Sequence, residues 1–185
     1  MSENTTPDGG FTLFETAIGR CGIAWRDGRV VAVSLPATDS KRTRARLHGT
    51  GMSETSDPPG WVAWTCERIA GLLNGADDDL ADVPVDLGAA GGFDRGVYEV
   101  ARSIRPGETL TYGEVAERLG DARLAREVGR ALGANPVPII VPCHRVVAAD
   151  GSLGGFSAPG GRETKRRLLE IERPLAERGV TLFTV

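Results

Sequence analysis

Three prolines within seven residues, Pro136, Pro138 and Pro142, constrain this chain more than any other feature. Each fixes its own φ, lacks an amide hydrogen and disfavours helix in the residue before it. The run Asn135–Arg145 is therefore expected to be irregular and stiff, although Val137, Ile139, Ile140 and Val141 make it apolar. At its end one of only three cysteines, Cys143, stands beside one of only two histidines, His144. A thiol in water is mostly protonated at neutral pH, and the thiolate is the nucleophile. A neighbouring imidazole can raise the thiolate fraction, and a stiff backbone holds the sulfur in place. Free cysteine is more often a small buried hydrophobe. That reading suits Cys21 and Cys66, whereas the rigid frame sets Cys143 apart. Adjacent side chains diverge, so His144 is expected to act through a bridging water. Its second ring nitrogen needs an orienting carboxylate, for which Glu163, Glu170 and Glu172 are candidates.

The residues ahead of this segment divide into two patterns. Thr12–Ala17, Cys21–Arg26 and Arg29–Leu35 read as strands, joined by turns at Ile18–Arg20 and at Asp27-Gly28, a two-residue hairpin signal. Helices are expected over Ser40–His48 and Trp61–Leu73, the second stopped by Asn74-Gly75, and Val83–Leu87 reads as a short strand. Gly88–Gly92 marks a boundary. Beyond it, Phe93–Ile104 has helical spacing, and Thr111 and Glu114 stand at capping-box spacing ahead of a helix that Gly120 ends. Asp121 caps a further helix to about Gly133, and the pair resembles a helix-turn-helix, for which an ordinary antiparallel helix pair is the plainer reading. A last helix covers Gly161–Glu172. The expected architecture is a flexible N-terminus (1–10), an α/β N-terminal domain with a small antiparallel sheet and helices (11–88), and an all-α C-terminal domain containing the helix-turn-helix (92–178).

Charge narrows the partners. The net charge of −3 argues mildly against nucleic acid, but its distribution does not. Residues 1–92 carry 8 Lys and Arg against 13 Asp and Glu, whereas residues 93–185 carry 14 against 12. The second half is the better phosphate-facing surface. Unpaired cysteines and an N-terminus without a basic or apolar leader fit a reducing, cytoplasmic location. No run is apolar enough to span a bilayer, and no cysteine pair has zinc spacing, so neither a membrane nor a metal is expected.

Pro142-Cys143-His144-Arg145-Val146 resembles the active-site motif of the O6-alkylguanine-DNA alkyltransferases, the methylated-DNA–protein-cysteine methyltransferases. Tyr112-Gly113-Glu114-Val115-Ala116, Ala125-Arg126, Asn135-Pro136-Val137-Pro138, Gly151 and Lys165–Glu172 follow in family order and spacing. The resemblance is strong over residues 93–172 and looser over 11–87. It implies direct, stoichiometric transfer of a methyl or alkyl group from O6 of guanine in duplex DNA to Cys143, by a monomer, without cofactor. It further implies that His144 is the base, that Glu172 orients it, that Tyr112 donates a proton toward the departing purine and that Asn135 holds the cysteine turn. The Ser157 region would offer a donor to O6, and the backbone around Cys143 and Val146 would read the exocyclic amine. A base inside a duplex must be flipped, so Arg126 would fill the vacated stack from the minor groove. Gly129 and Gly133 would let that helix approach DNA closely, although small residues serve helix packing equally well.

Departures from the family pattern are visible. Phe156 replaces a frequent tyrosine, keeping a ring for stacking but losing a hydroxyl. The stretch from Ser157 to Lys165 is two residues longer than the shorter family form, and Glu127 adds a carboxylate beside Arg126. Three alternatives compete: a non-catalytic alkyl-lesion-binding protein, a cysteine hydrolase using Cys143 and His144, and a plain helix-turn-helix regulator. The first lacks a nucleophilic cysteine, the second needs an oxyanion hole, and the third leaves the cysteine frame unexplained.

Overall fold

The computed structural model describes residues 9–180, with side chains described up to residue 174. Three antiparallel strands, β1 (Gly9–Thr16), β2 (Gly19–Arg26) and β3 (Arg29–Ser34), form a meander in sequence order. Both residues of the Asp27-Gly28 turn have positive φ, 50° and 70°, as a tight hairpin requires. The first turn falls on Ala17-Ile18, one residue ahead of the expected position, with Gly19 at φ 122° opening β2. Gly9 and Gly10, expected in a flexible N-terminus, belong to β1; residues 1–8 lie outside the described part.

Side chains of β2 alternate between two layers. Cys21, Ile23 and Trp25 enter the main core with Val62, Cys66 and Ile69 of α2 (Gly60–Leu72). On the other face Ala24 packs with Phe11 and with Leu47 of α1 (Ser40–His48). α1 crosses Gly22 so closely that a Cβ there would lie 2.3 Å from a Leu47 methyl. The outer strands are not left as open edges. Phe11 exchanges backbone bonds with Ser53 and Thr55, and Val30 with Pro84 and Asp86. The expected strand at Val83–Leu87 is thus a single bridge at Val85, since Pro84 has no amide to extend a ladder.

The second half is mainly helical: α3 (Gly92–Arg102), α4 (Tyr112–Arg118), α5 (Ala125–Gly133) and α6 (Arg162–Val180). A 3-10 turn at Ala122–Leu124 capped by Asp121 joins α4 to α5. The Thr111–Glu114 capping box forms in full, with Thr111 Oγ1 accepting from the Glu114 amide and Glu114 accepting from the Thr111 amide. α6 continues past the expected end at Glu172, through Pro174. The carbonyl that Pro174 leaves without its helical partner belongs to exposed Glu170, where water can satisfy it. One feature was not expected in a helical region: β4 (Leu110–Thr111) pairs in parallel with β5 (Val146–Val147).

One apolar cluster runs from the sheet and α2 through Val97, Val128, Val137 and Leu168 without a break. Polar clasps reinforce the join. Arg102 of α3 donates to the carbonyls of Leu80, Ala81 and Val83, and Val33 of β3 donates to Pro136 at 2.9 Å. That last bond fastens the start of the proline segment to the sheet edge.

Candidate active site

The proline segment delivers Cys143 through a chain of local bonds. Val141 donates to the Val137 carbonyl, and the Cys143 amide turns back to Val141 at 2.8 Å. Buried Ile139 sits at φ 77°, a region that strongly disfavours a β-branched residue. Asn135 braces this turn from inside: Nδ2 donates to the Val141 carbonyl at 2.8 Å and to Cys143 Sγ at 3.3 Å, while Oδ1 accepts from the Val137 amide at 3.0 Å. Cys143–Arg145 then form one 3-10 turn in which all three residues are buried.

His144 and Arg145 both turn inward to Glu172 of α6. His144 Nε2 lies 2.9 Å from Glu172 Oε1, and Arg145 binds both carboxylate oxygens through Nε at 3.2 and 3.0 Å. Arg145 Nη1 also donates to the Ile104 carbonyl at 2.7 Å. Burial alone would raise the Glu172 carboxyl, but the bonds from His144 and Arg145 outweigh it and hold the pKa at about 2. An ionised carboxylate can only accept, so the His144 proton resides on Nε2. Nδ1 is then the basic nitrogen, and it is buried without a hydrogen-bond partner among the described residues. Burial pushes the His144 pKa below its usual 6.5, keeping the ring neutral and able to take a proton. Of the three candidate carboxylates, Glu172 is the one in place, since Glu163 and Glu170 pair with exposed Arg166.

The thiol rests protonated. Burial raises its pKa, opposed by the Asn135 bond and the nearby Lys165 charge. A neighbouring imidazole therefore does not leave a free thiolate waiting; ionisation must accompany reaction. The sulfur opens into a cleft of about 460 Å³ lined by Tyr112, Ala125, Gly129, Leu132, Gly133, Cys143, Gly155, Phe156 and Ser157. This volume lies in the range of small-molecule sites, far above what a methyl group needs. Ala125, Gly129 and Gly133 follow the four-residue spacing of one face of α5, so small residues clear the cleft. A Cβ on Gly129 would make ordinary contact with Tyr112 at 3.8 Å, so close helix packing does not demand glycine here.

Lys165, to which the sequence reading gave no role of its own, is the other buried charge at the cleft. It is fully buried, and Nζ donates to the carbonyls of Val146 at 2.6 Å and Gly155 at 3.3 Å and lies 3.5 Å from the Tyr112 hydroxyl. Desolvation lowers its pKa to about 8. Its signal was present: Lys165, Leu168 and Glu172 share the buried face of α6, where a charge needs a partner. Tyr112, kept protonated because burial raises its pKa, packs against Gly154, where a Cβ would come within 2.8 Å of the phenol.

The remaining expected residues divide. Phe156 and Ser157 line the cleft. Val146 lies behind it, fully buried, with its carbonyl engaged by Lys165. Arg126 is exposed in the first turn of α5, outside the cleft lining, and makes no ion pair among the described residues; Asp121 is taken by Arg123 instead.

Residues 92–174 match the family described as 6-O-methylguanine DNA methyltransferase, DNA binding domain. Among similar proteins, the methylated-DNA–protein-cysteine methyltransferase of Methanothermobacter thermautotrophicus is 37% identical over 82% of this chain and 78% of its own. That of Mycolicibacterium paratuberculosis is 36% identical over 94% and 98%. The crystal structure of Mycobacterium tuberculosis OGT in complex with DNA superposes with a TM-score of 0.72 at 32% identity, covering 95% of this chain and 99% of that one.

Proposed function

Because this chain belongs to the methylated-DNA–protein-cysteine methyltransferase family, we propose that it repairs DNA directly, moving a methyl or larger alkyl group from O6 of guanine to Cys143. The observation that carries this reading is a buried thiol facing a base-sized cleft, beside a His144–Glu172 pair whose free nitrogen is basic. The sulfur attacks the alkyl carbon, the carbon–O6 bond breaks, and its electron pair passes into the purine. The thiol proton leaves through water to His144 Nδ1. Tyr112 supplies a proton to the purine and is reprotonated through water at the expense of His144, so the net movement is one proton from sulfur to purine. Asn135 holds the sulfur in line, and Lys165 fixes the Val146 and Gly155 carbonyls that frame the cleft. The thioether formed is stable, so each protein molecule acts once, and the balance needs neither cofactor nor metal.

α4 and α5 act as the helix-turn-helix. α5 approaches the minor groove, and exposed Arg126 replaces the base that swings into the cleft. The protein works as a monomer in the cytoplasm on double-stranded DNA. No helix among the described residues is long and apolar enough to cross a membrane.

The test is an equimolar mixture of protein and duplex carrying one O6-methylguanine, followed by peptide mass spectrometry. One added methyl on the Cys143 peptide, restored guanine and no second turnover are expected. An intact lesion with unmodified Cys143, despite bound DNA, would overturn the proposal in favour of a lesion-binding protein.

A further inference from the structure

Cys143, Phe156 and Ser157 line the main cleft and also a second, smaller chamber of about 100 Å³. That chamber draws walls from the N-terminal half of the chain: Val33 and Leu35 at the end of β3, and Arg46 on α1. Arg46 is its one charged lining residue. Its side chain is exposed and forms no ion pair or side-chain hydrogen bond among the described residues, and no carboxylate lines the chamber. The nucleophilic sulfur thus stands where a base-sized space meets a small cationic one. With a guanine in the main cleft and its O6 toward Cys143, atoms beyond the reacting carbon need room next to the sulfur, and this chamber supplies it.

We propose that Arg46 selects lesions whose O6 substituent ends in a short anion, with carboxymethyl as the type. The proposal rests on the alkyl-transfer reading and names a substrate class for it. Size favours a short group: the chamber is smaller than the roughly 150 Å³ cavity that admits benzene. Charge favours an anion, because a guanidinium with free donors can bind a carboxylate through two parallel bonds. The reaction keeps its balance. The sulfur attacks the methylene carbon, the carbon–O6 bond breaks, and the thiol proton passes to the base. The product is S-carboxymethylcysteine, its carboxylate still beside Arg46.

Single-turnover transfer from duplexes carrying O6-methyl-, O6-carboxymethyl- or neutral O6-carbamoylmethylguanine tests this in the wild type, Arg46→Ala and Arg46→Lys. The wild type is expected to favour carboxymethyl over carbamoylmethyl by about tenfold, as one charge-assisted hydrogen bond would give. Arg46→Ala should erase that preference and leave methyl transfer unchanged, and Arg46→Lys should restore part of it. An Arg46→Ala protein slowed equally on all three lesions would make Arg46 a DNA-backbone contact and overturn the proposal. A preference that survives Arg46→Ala would overturn it too. Absence of methyl transfer by the wild type would instead overturn the alkyl-transfer reading beneath it.

Discussion

Glu172 Oε1 lies 2.9 Å from His144 Nε2, and the same carboxylate is gripped by Arg145, so one acid orients the imidazole and neutralises a buried cation. Glu172→Gln keeps an acceptor for the imidazole but leaves the Arg145 charge unpaired. Breaking a buried pair in this way costs about 3–5 kcal/mol. Transfer should slow by about ten- to a hundredfold, as losses of orienting partners do at metal-bound histidines. Urea unfolding and single-turnover rates on the same preparation check both effects; full stability with a slow rate would mean that Arg145 finds another partner.

Acid should weaken the fold in two steps. The Glu172 carboxyl is held at about 2 against a usual 4.5, so its contribution is complete above 4.5 and is lost as pH falls from there toward 2. His144 is pushed below its usual 6.5 by burial, so the unfolded chain takes up that proton first and stability begins to fall under pH 6.5. Urea midpoints followed from neutral pH to about pH 3 should decline throughout. Glu172→Gln should flatten the lower part of the decline and extend the upper part, because the carboxylate that holds the His144 pKa up is gone.

Asn135→Ala removes the brace of the cysteine turn and strands the amide of fully buried Val137, while the Val141 carbonyl keeps its bond from the Cys143 amide. A loss of about 1–3 kcal/mol is expected for such an unpaired group. The thiol also loses its one side-chain donor, so its reaction with a small alkylating reagent should need higher pH than in the wild type. An unchanged pH dependence would show that Asn135 only supports the backbone.

Gly154→Ala is unfavourable twice over. The residue has φ 67°, and its Cβ would lie 2.8 Å from the Tyr112 hydroxyl and ring. The phenol must move, so transfer should fall more than lesion-DNA affinity does. Binding titrations alongside single-turnover rates separate the two.

Arg126→Ala touches an exposed side chain and should leave the melting temperature unchanged. If Arg126 fills the gap left by a flipped base, repair should slow by about tenfold in duplex DNA but hardly at all in single strands, where no stack has to be opened. Equal slowing on both substrates would assign Arg126 to the phosphate backbone.

Much of this site is legible where chemistry is local in the chain. The Asp27-Gly28 turn, the Thr111–Glu114 box and the stiff approach to Cys143 depend on neighbouring residues, and each forms as their spacing dictates. Glu172 is one of three carboxylates that could serve His144, and only packing of α6 against the 3-10 turn separates it from Glu163 and Glu170. Lys165 was hidden because a lysine on a helix is ordinarily solvated, and its acceptors are carbonyls, which every residue carries. Arg46 lies on a helix almost a hundred residues before the cysteine, and no periodicity could place it beside the sulfur. The β4–β5 pair escaped for a related reason: two residues a side leave no alternating pattern to read, whereas the strand expected at Val83–Leu87 shrinks to the bridge at Val85.

That two-residue parallel pair has a mechanical consequence. Thr111 is both the cap of α4 and the partner of Val147, and Val146 follows the turn that presents the nucleophile. A strap of backbone thus joins the root of the proposed DNA-reading unit to the reacting atom, bypassing the intervening loop of chain. Under the proposed function, load that a bent duplex applies to α4 would reach Cys143 through this strap, with grip and reaction carried on one piece of stock.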